Sequence, residues 1–401
     1  MRIYVFTEYF PNPYKPYFDE QFTALLRKGH SLNIFAEGKF DDVVNEQIRD
    51  YGLDSRTRYY PTTGSTVARY FRALAVAAFR RPLRNLRAAH RVWQPGRPLR
   101  SNVLNACRML LLPADPPELC FIHDLAAARR FTFLRELYPG VPVALHFHGG
   151  EIPFQGVIDD PAFIFGRMDI VFTNTQYSKS LALARGCDER KILINPVGFE
   201  LDRYLPREPR TYRADGRLRL LSVGRLSEEK GHLDALRAIR ALRDEGVARL
   251  VYRIVGNGPS ASEIAGFVRD NSLDGLVELV GALPKRRVLE ELEAADVLLH
   301  TSVPTPTCEE NQACALQEAM LMRAVVLTTR TGGVQESIPE EMRAFAVDCG
   351  DSGAIARTVK AFMAMSPEEM DALGRAGREF VRRRYDVERV TDFILDNAGK
   401  S

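Results

Sequence analysis

Short apolar runs alternate with segments of helical spacing along most of the chain, and this pattern predicts an α/β protein. At the N terminus, Arg2–Phe6 predicts a strand because it is mostly β-branched and aromatic. Tyr17–Lys28 predicts a helix that ends at Gly29, and Ser31–Ala36 predicts the next strand. These segments make one strand–helix–strand unit, with which the chain begins.

The same alternation continues in both halves of the chain. In the first half, further strands are predicted at Leu119–Ile122, Val141–Phe147 and Ile170–Thr173. In the second half, strands are predicted at Leu218–Val223, Leu250–Val255, Val277–Val280, Val297–His300, Val325–Thr328 and Phe345–Val347, and helices at His232–Arg243, Ser260–Asp270, Lys285–Ala295 and Asn311–Met322. Each half therefore predicts its own doubly wound lobe with a parallel sheet.

Length agrees with this division, since 401 residues at roughly 150 per domain give two or three units. The segment 205–217 is rich in proline and charge and predicts a linker. We expect an N-terminal lobe at 1–204, a C-terminal lobe at 218–385, and a C-terminal helix at 386–401 that packs back on the first lobe. Two such lobes face each other across a cleft, where the carboxyl ends of parallel strands bind ligands.

Composition adds that the protein is an ordinary globular one, with 45% hydrophobic and 27% charged residues. The sequence contains no apolar stretch long enough to span a bilayer and no signal-peptide pattern, so we expect a cytoplasmic protein. Its six cysteines are scattered without a C-x-x-C pair and predict reduced thiols.

Charge is nearly balanced at +3, but its distribution is uneven. Between Ser55 and Ala114 the chain carries twelve arginines and no acidic residue. Apolar residues are interleaved with the arginines of Arg69–Arg108, as in a basic amphipathic helix on an anionic membrane surface. The alternative is a solvated arginine face on a helix whose apolar side is core; nucleic-acid binding is not expected, because few aromatic residues suited to base stacking accompany the arginines.

A cationic loop follows the first strand of the second lobe. Ser222–Gly231 reads SVGRLSEEKG, which places Arg225 and Lys230 on the turn into a helix, where backbone amides also point. Two fixed cations at this position suit a diphosphate. No G-x-G-x-x-G follows the first strand of the chain, so a dehydrogenase is disfavoured.

Two glutamates, Glu310 and Glu318, stand eight residues apart in EENQACALQEAM. If a helix begins near Asn311, Glu310 lies at its entrance and Glu318 about two turns along, so both can face one elongated ligand. The histidines His30, His90, His232 and His300 lack metal-like spacing, and the sequence predicts no metal ligand.

The ordered set of these motifs resembles the second lobe of family four of the retaining, nucleotide-sugar-dependent glycosyltransferases, which have the GT-B fold. The matching residues are Gly224, Arg225, Lys230, Gly256, Gly258, Pro259, Gly281, Leu283, Ala295, Asp296, Glu310, Glu318, Gly332 and Gly333. The first lobe matches more loosely, through segments that include Phe121–Asp124, Leu145–Glu151 and Asn195–Asp202.

The resemblance implies a role for each matching side chain. Arg225 and Lys230 would bind the donor diphosphate, Glu318 the ribose, and Glu310 and His148 the transferred sugar. Further donor contacts are expected from Gly224, Gly256, Gly258, Leu283, Asn311, Gln312 and Ala313, and acceptor-side contacts from Lys15, His123 and Glu151. Apart from the donor substrate, no cofactor and no metal is implied, and the chain contains no D-x-D motif.

The chain departs from the family pattern at two places. Many relatives carry a glycine-rich loop after the first strand, whereas this chain has the proline-rich segment 10–16, in which Lys15 could partly substitute. The usual glycine after Glu310 is replaced by Asn311, followed by Gln312, so the preferred sugar cannot be copied from a relative.

The expected activity is transfer of a hexose-type sugar from a nucleoside diphosphate to a glycan or lipid-linked acceptor, by a cytoplasmic enzyme that could sit on the inner face of the membrane. Two alternatives stay open. One is a nucleotide-sugar epimerase of the same fold, which needs no acceptor. The other is a non-catalytic subunit that binds nucleotide sugar in a polysaccharide assembly complex.

Overall fold

A computed structural model describes residues 1–13, 15–40, 46–60, 102, 105–106, 108–109, 112–113, 115–149, 160–206, 210–306 and 308–398. Within them, two parallel sheets form two Rossmann-like lobes, so the chain has the predicted α/β architecture. From edge to edge, the strands of the first sheet are Thr57–Tyr59, Ser31–Gly38, Arg2–Tyr9, Leu119–Ile122, Val143–Phe147, Ile170–Thr173 and Ile192–Ile194. Those of the second are Val277–Gly281, Leu250–Val255, Leu218–Val223, Val297–His300, Val325–Thr329 and Ala346–Val347.

The strands of the first lobe are β1 Arg2–Tyr9, β2 Ser31–Gly38, β3 Thr57–Tyr59, β4 Leu119–Ile122, β5 Val143–Phe147, β6 Ile170–Thr173 and β7 Ile192–Ile194. Its helices are Tyr17–Arg27, Glu46–Asp50, Leu53–Arg56, Leu125–Arg130, Leu134–Leu137, Pro161–Gly166 and Gln176–Ala184. The central strands β4 and β5 are buried throughout, which agrees with a sheet covered on both faces.

The strands of the second lobe are β8 Leu218–Val223, β9 Leu250–Val255, β10 Val277–Gly281, β11 Val297–His300, β12 Val325–Thr329 and β13 Ala346–Val347. Its helices are His232–Asp244, Ala261–Asp270, Lys285–Ala294, Cys314–Leu321, Ser352–Ala364 and Pro367–Arg384. One continuous hydrophobic core runs through this lobe, whereas the first lobe has separate cores on the two faces of its sheet.

The last helix, Val387–Ala398, lies against the first lobe. Ile394 and Ala398 join the core around β1, and Arg27 forms an ion pair with Glu388 at 2.7 Å. The chain therefore crosses back to the lobe in which it began.

The segment expected as a linker is partly anchored to the second lobe. The guanidinium of Arg210 donates to the Met322 carbonyl at 2.6 Å, and the hydroxyl of Tyr212 donates to the Arg323 carbonyl at 2.6 Å. Tyr212 is buried in the second core. Polar side chains of this charge-rich segment thus bind backbone carbonyls of the second lobe.

Among the described residues, no helix is both long and apolar enough to cross a membrane. The five described cysteines are free thiols, as predicted for them. Most of Arg69–Arg108 lies outside the described residues. Arg108 itself is buried, and its guanidinium donates to the Arg130 carbonyl at 3.4 Å, so this arginine is not part of a solvated basic face.

Candidate active site

The loop after β8 is fixed by close packing of backbone on backbone. Its Leu226 amide donates to the Asn257 carbonyl at 3.0 Å. A Cβ at Gly256 would stand 1.8 Å from the Gly224 carbonyl oxygen, and one at Gly258 would stand 2.4 Å from the Leu226 oxygen. The glycines predicted as donor contacts therefore have a structural reason of their own: they bring two loops together.

Lys230 and Glu310 meet at the carboxyl ends of β8 and β11. The Lys230 ammonium donates to Glu310 Oε2. The hydroxyl of Ser302 donates to the same oxygen at 3.2 Å, and His300 Nε2 lies 3.4 Å from it. Residues 80 positions apart in the sequence thus form one charged pair in the second lobe.

The charges of this pair are well defined. Burial alone would raise the pKa of Glu310, but the Lys230 ammonium and the His300 ring lower it, and the net pKa lies well below the usual range. Burial lowers the pKa of Lys230, and the Glu310 carboxylate outweighs this effect and raises it. At neutral pH the pair is a carboxylate and an ammonium.

Arg225 is exposed on the same loop as Lys230, and its carbonyl lies 3.3 Å from His232 Nε2. The structure thus brings Lys230 and Glu310 together and leaves Arg225 at the exposed part of the loop. Leu283 is half-buried against the second core.

The helix that carries Glu318 begins at Cys314 and not near Asn311, so the expected helix start was wrong. Glu310 lies in the extended segment before the helix. Ala313 precedes the first turn and provides no side-chain cap for the first amides of the helix. An anion suits such a position.

Glu318 is buried in a cluster that links the two lobes. Its carboxylate accepts from the Lys285 ammonium, and its Oε1 lies 3.2 Å from the Tyr204 hydroxyl. That hydroxyl lies 3.0 Å from Glu20 Oε1 in the first lobe. Burial raises the pKa of Glu20, and Lys285 only partly opposes it. Glu318 is therefore part of one buried cluster with side chains of both lobes.

The residues that replace the family's small residues contact the first lobe. The Asn311 side chain donates to the His148 carbonyl at 2.5 Å and accepts from the Thr175 hydroxyl. Both ends of the Gln312 amide bind Val197, at 2.7 Å and 2.9 Å. The side-chain amides of Asn311 and Gln312 therefore form hydrogen bonds that connect the second lobe to the first.

Two glycines, Gly149 and Gly333, line the space that the Asn311 side chain occupies. A Cβ at Gly149 would stand 2.9 Å from Asn311 Nδ2, and one at Gly333 would stand 2.3 Å from Asn311 Oδ1. The absence of side chains at both positions is what gives the asparagine room.

On the first-lobe side, His148 lies beside two other histidines. Its ring centroid is 4.4 Å from that of His146 and 6.0 Å from that of His123. Lys15 lies 3.9 Å from the buried carboxylate of Asp124, and its ammonium is 5.5 Å from the Phe18 ring, which contacts His123. Lys15, His123 and His148 thus come together, whereas Glu151 is outside the described residues.

Several residues of this region were missed by sequence reasoning, because their partners are remote in the chain. Tyr177 donates to Glu309, and both carboxylate oxygens of Glu336 accept from the first amides of helix Gln176–Ala184, at 2.7 Å and 2.9 Å. Glu336 thus adds an acceptor to a helix start that Thr175 already caps, and this contact between remote segments shows only once the fold is known.

Comparisons with known proteins agree with this architecture. Residues 208–380 match the family model described as glycosyl transferases group 1. WcaL of Escherichia coli strain K12, named as a glycosyltransferase of colanic acid biosynthesis, is 28% identical over 406 residues and 96% of each chain. AmsK of Erwinia amylovora, an amylovoran biosynthesis glycosyltransferase, is 27% identical over 60% of each chain.

Among solved structures, Alr3699/HepE of Anabaena in complex with UDP and glucose is similar over 100% of both chains, with a TM-score of 0.72 and 14% sequence identity. At that identity the likeness concerns the fold alone, which is the GT-B arrangement expected from the sequence.

Proposed function

We propose that this chain, a glycosyltransferase whose residues 208–380 match the group 1 family model, transfers a hexose-type sugar from a nucleoside diphosphate to a glycan or lipid-linked acceptor. The product would be part of a polysaccharide or glycoconjugate, as the names of WcaL and AmsK suggest for those relatives. The transfer proceeds with retention and without a metal ion.

The observation that carries this proposal is the contact between Lys230 and Glu310 beside an uncapped helix start. A departing nucleoside diphosphate gains negative charge as the bond to the sugar breaks. When the donor binds, Lys230 would leave Glu310 for the phosphate, and the freed carboxylate would accept hydrogen bonds from the sugar hydroxyls. In the bound complex the ammonium and the helix start would then stabilise the developing charge without further reorganisation in the transition state.

Ser302 and His300 keep Glu310 in place when Lys230 turns to the phosphate, because both lie against the same carboxylate oxygen. Glu318, held by Lys285 and Tyr204, would accept from the ribose hydroxyls. The second lobe would thereby contact both the sugar and the ribose of the donor, and His148 of the first lobe would contact the sugar from the opposite side.

The acceptor would bind against the first lobe, around Lys15 and His123. We propose a membrane-surface acceptor, because the arginines of Arg69–Arg108 alternate with apolar residues. The sequence pattern alone supports this part of the proposal.

The donor can be identified by a thermal-shift panel of UDP-, GDP-, ADP- and TDP-sugars on the purified chain. A ligand at 100 times its dissociation constant adds about 2.7 kcal/mol of stability. The donor that shifts the melting temperature should then be hydrolysed slowly without acceptor and transferred with one. Release of an isomerised donor instead would favour an epimerase, and binding with no turnover a non-catalytic subunit.

A further inference from the structure

Three histidines meet at the carboxyl edge of the first sheet. His123 follows β4, and the neighbouring β5 leads through His146 to His148. Side chains two positions apart on a strand point to the same side, so His146 and His148 share one face. Their ligand atoms and that of His123 all lie within 4.8 Å of one another.

Most of the ring nitrogens in this cluster lack a hydrogen-bond partner among the described residues. This holds for both nitrogens of His123, both of His148, and Nδ1 of His146, and all five are buried. Buried polar atoms are normally paired, because an unpaired one costs about 1–3 kcal/mol. A neutral imidazole has one N–H and one lone pair, so the three rings together offer three lone pairs to a ligand at the centre of the cluster.

The tautomer of His146 can be assigned from its neighbours. Its Nε2 lies 3.1 Å from the backbone carbonyl of Asn195 and 2.8 Å from Asn174 Oδ1. A backbone carbonyl can only accept, so Nε2 carries the proton and Nδ1 presents its lone pair to the cluster. A carbonyl behind a histidine is the usual support of a metal-binding imidazole.

The rings are neutral, which is the form that binds metal. Burial lowers the pKa of His146 to about 4 and those of His123 and His148 well below their usual value. In the part of the chain that the structure describes, the charged groups beside the cluster include Lys15, which disfavours an added cation, and Asp124, which lies 3.9 Å from Lys15 and offsets it.

We propose that His123, His146 and His148 form a binding site for a borderline divalent transition-metal ion of the Zn²⁺, Co²⁺ and Ni²⁺ class. Three imidazole ligands suit Zn²⁺, whereas Mg²⁺ prefers oxygen ligands. Metal–nitrogen bonds of about 2.0–2.1 Å require the rings to close in by about 1 Å.

A metal ion bound at this site inhibits sugar transfer, because it coordinates the His148 ring, which is then not available to contact the sugar. This consequence rests on the proposed function, in which His148 contacts the transferred sugar. Binding of the ion itself does not depend on that function, so the two can be tested apart.

The test uses the full chain with any affinity tag removed, dialysed against Zn²⁺ and analysed for bound metal. We expect one ion per chain and a tetrahedral visible spectrum with Co²⁺. His123→Phe and His148→Phe should each weaken binding at least tenfold, while His232→Phe, at a buried histidine of the second lobe, should not. Circular dichroism confirms that each variant is folded.

Less than one ion per chain under saturating Zn²⁺, or equal binding by wild type and both variants, would overturn the proposal. If transfer is measurable, Zn²⁺ should inhibit it and a chelator should restore it, with Mg²⁺ as the control ion. A chain that binds Zn²⁺ but transfers no sugar would contradict the proposed function and leave the metal site standing.

Discussion

The side-chain amide of Asn311 in the second lobe donates to the backbone carbonyl of His148 in the first, at 2.5 Å. Its oxygen accepts from Thr175 of the first lobe. A glycine at this position, as in the family pattern, could make neither contact. The asparagine therefore joins the loop that carries Glu310 to the strand end that carries His148.

Asn311→Ala should loosen the closed arrangement of the lobes without unfolding them. Two hydrogen bonds of about 0.5–1.5 kcal/mol each are lost, so we expect kcat/KM for the donor to fall by roughly tenfold. Small-angle scattering should show a larger radius of gyration. Asn397→Ala removes an exposed helix contact to the Phe393 carbonyl and serves as control. Unchanged scattering and kinetics would contradict a role for Asn311 between the lobes.

Glu318→Ala should weaken nucleotide binding by roughly 1 to 3 kcal/mol, because the ribose hydroxyls lose a buried acceptor. Calorimetry with the nucleoside diphosphate that gives the largest thermal shift measures the effect. Glu278→Ala, which removes an exposed carboxylate paired with Arg253, should leave the affinity unchanged. Equal affinities of wild type and Glu318→Ala would argue against a ribose contact.

Acidification should destabilise the fold before the carboxylates titrate. Burial lowers the pKa of His146 and of His232 to about 4, against about 6.5 in an unfolded chain. Between these values the unfolded state binds more protons, so the free energy of unfolding decreases as the pH falls. Each histidine contributes up to about 1.4 kcal/mol per pH unit.

Denaturant titrations between about pH 7 and pH 5 measure this slope. The groups around His232 are Lys230, His300 and Glu229, and Lys230 and His300 act with burial to lower its pKa. A folded His232→Asn variant should show a shallower slope. A flat stability profile over this range, or an unchanged slope in the variant, would contradict the expectation.

The arginine-rich segment predicts binding to anionic vesicles that weakens with salt. Charge reversal at Arg80, Arg81 and Arg84 should abolish co-sedimentation at low salt. The matched control reverses Arg382, Arg383 and Arg384, which are exposed at the end of a second-lobe helix. No sedimentation of the wild type, or equal losses in both triple variants, would remove the membrane-surface hypothesis.

Most of the fold could be predicted from local pattern. The bounds of β4, β6, β8, β9 and β11 are as predicted, because each is a short, mostly buried apolar run that ends at a polar residue or a glycine. The three-residue strands Thr57–Tyr59 and Ile192–Ile194 were not predicted, since they are too short to show a period. Both strands lie at the edges of the first sheet, and no local sequence pattern reveals that position.

The site was predictable where its residues stand in ordered motifs and not where it depends on remote contacts. Lys230 was predicted from the loop after the first strand of the second lobe, and Glu310 from its eight-residue spacing to Glu318. The helix start was misplaced because Asn311 and Gln312 bind the first lobe instead of beginning the helix. Likewise Tyr204 meets Glu20 across 184 positions of sequence, a contact that exists only once both lobes have folded.

The central claim is that Glu310 contacts the transferred sugar while Lys230 supports the departing diphosphate. The most direct test is the single-turnover transfer rate of Glu310→Gln at saturating donor. Glu245→Gln is the matched control, because it removes an exposed carboxylate paired with Lys360 at 2.6 Å. We predict a rate at least about 100-fold below wild type for Glu310→Gln and an unchanged rate for the control. A Glu310→Gln rate within about threefold of wild type would contradict the account.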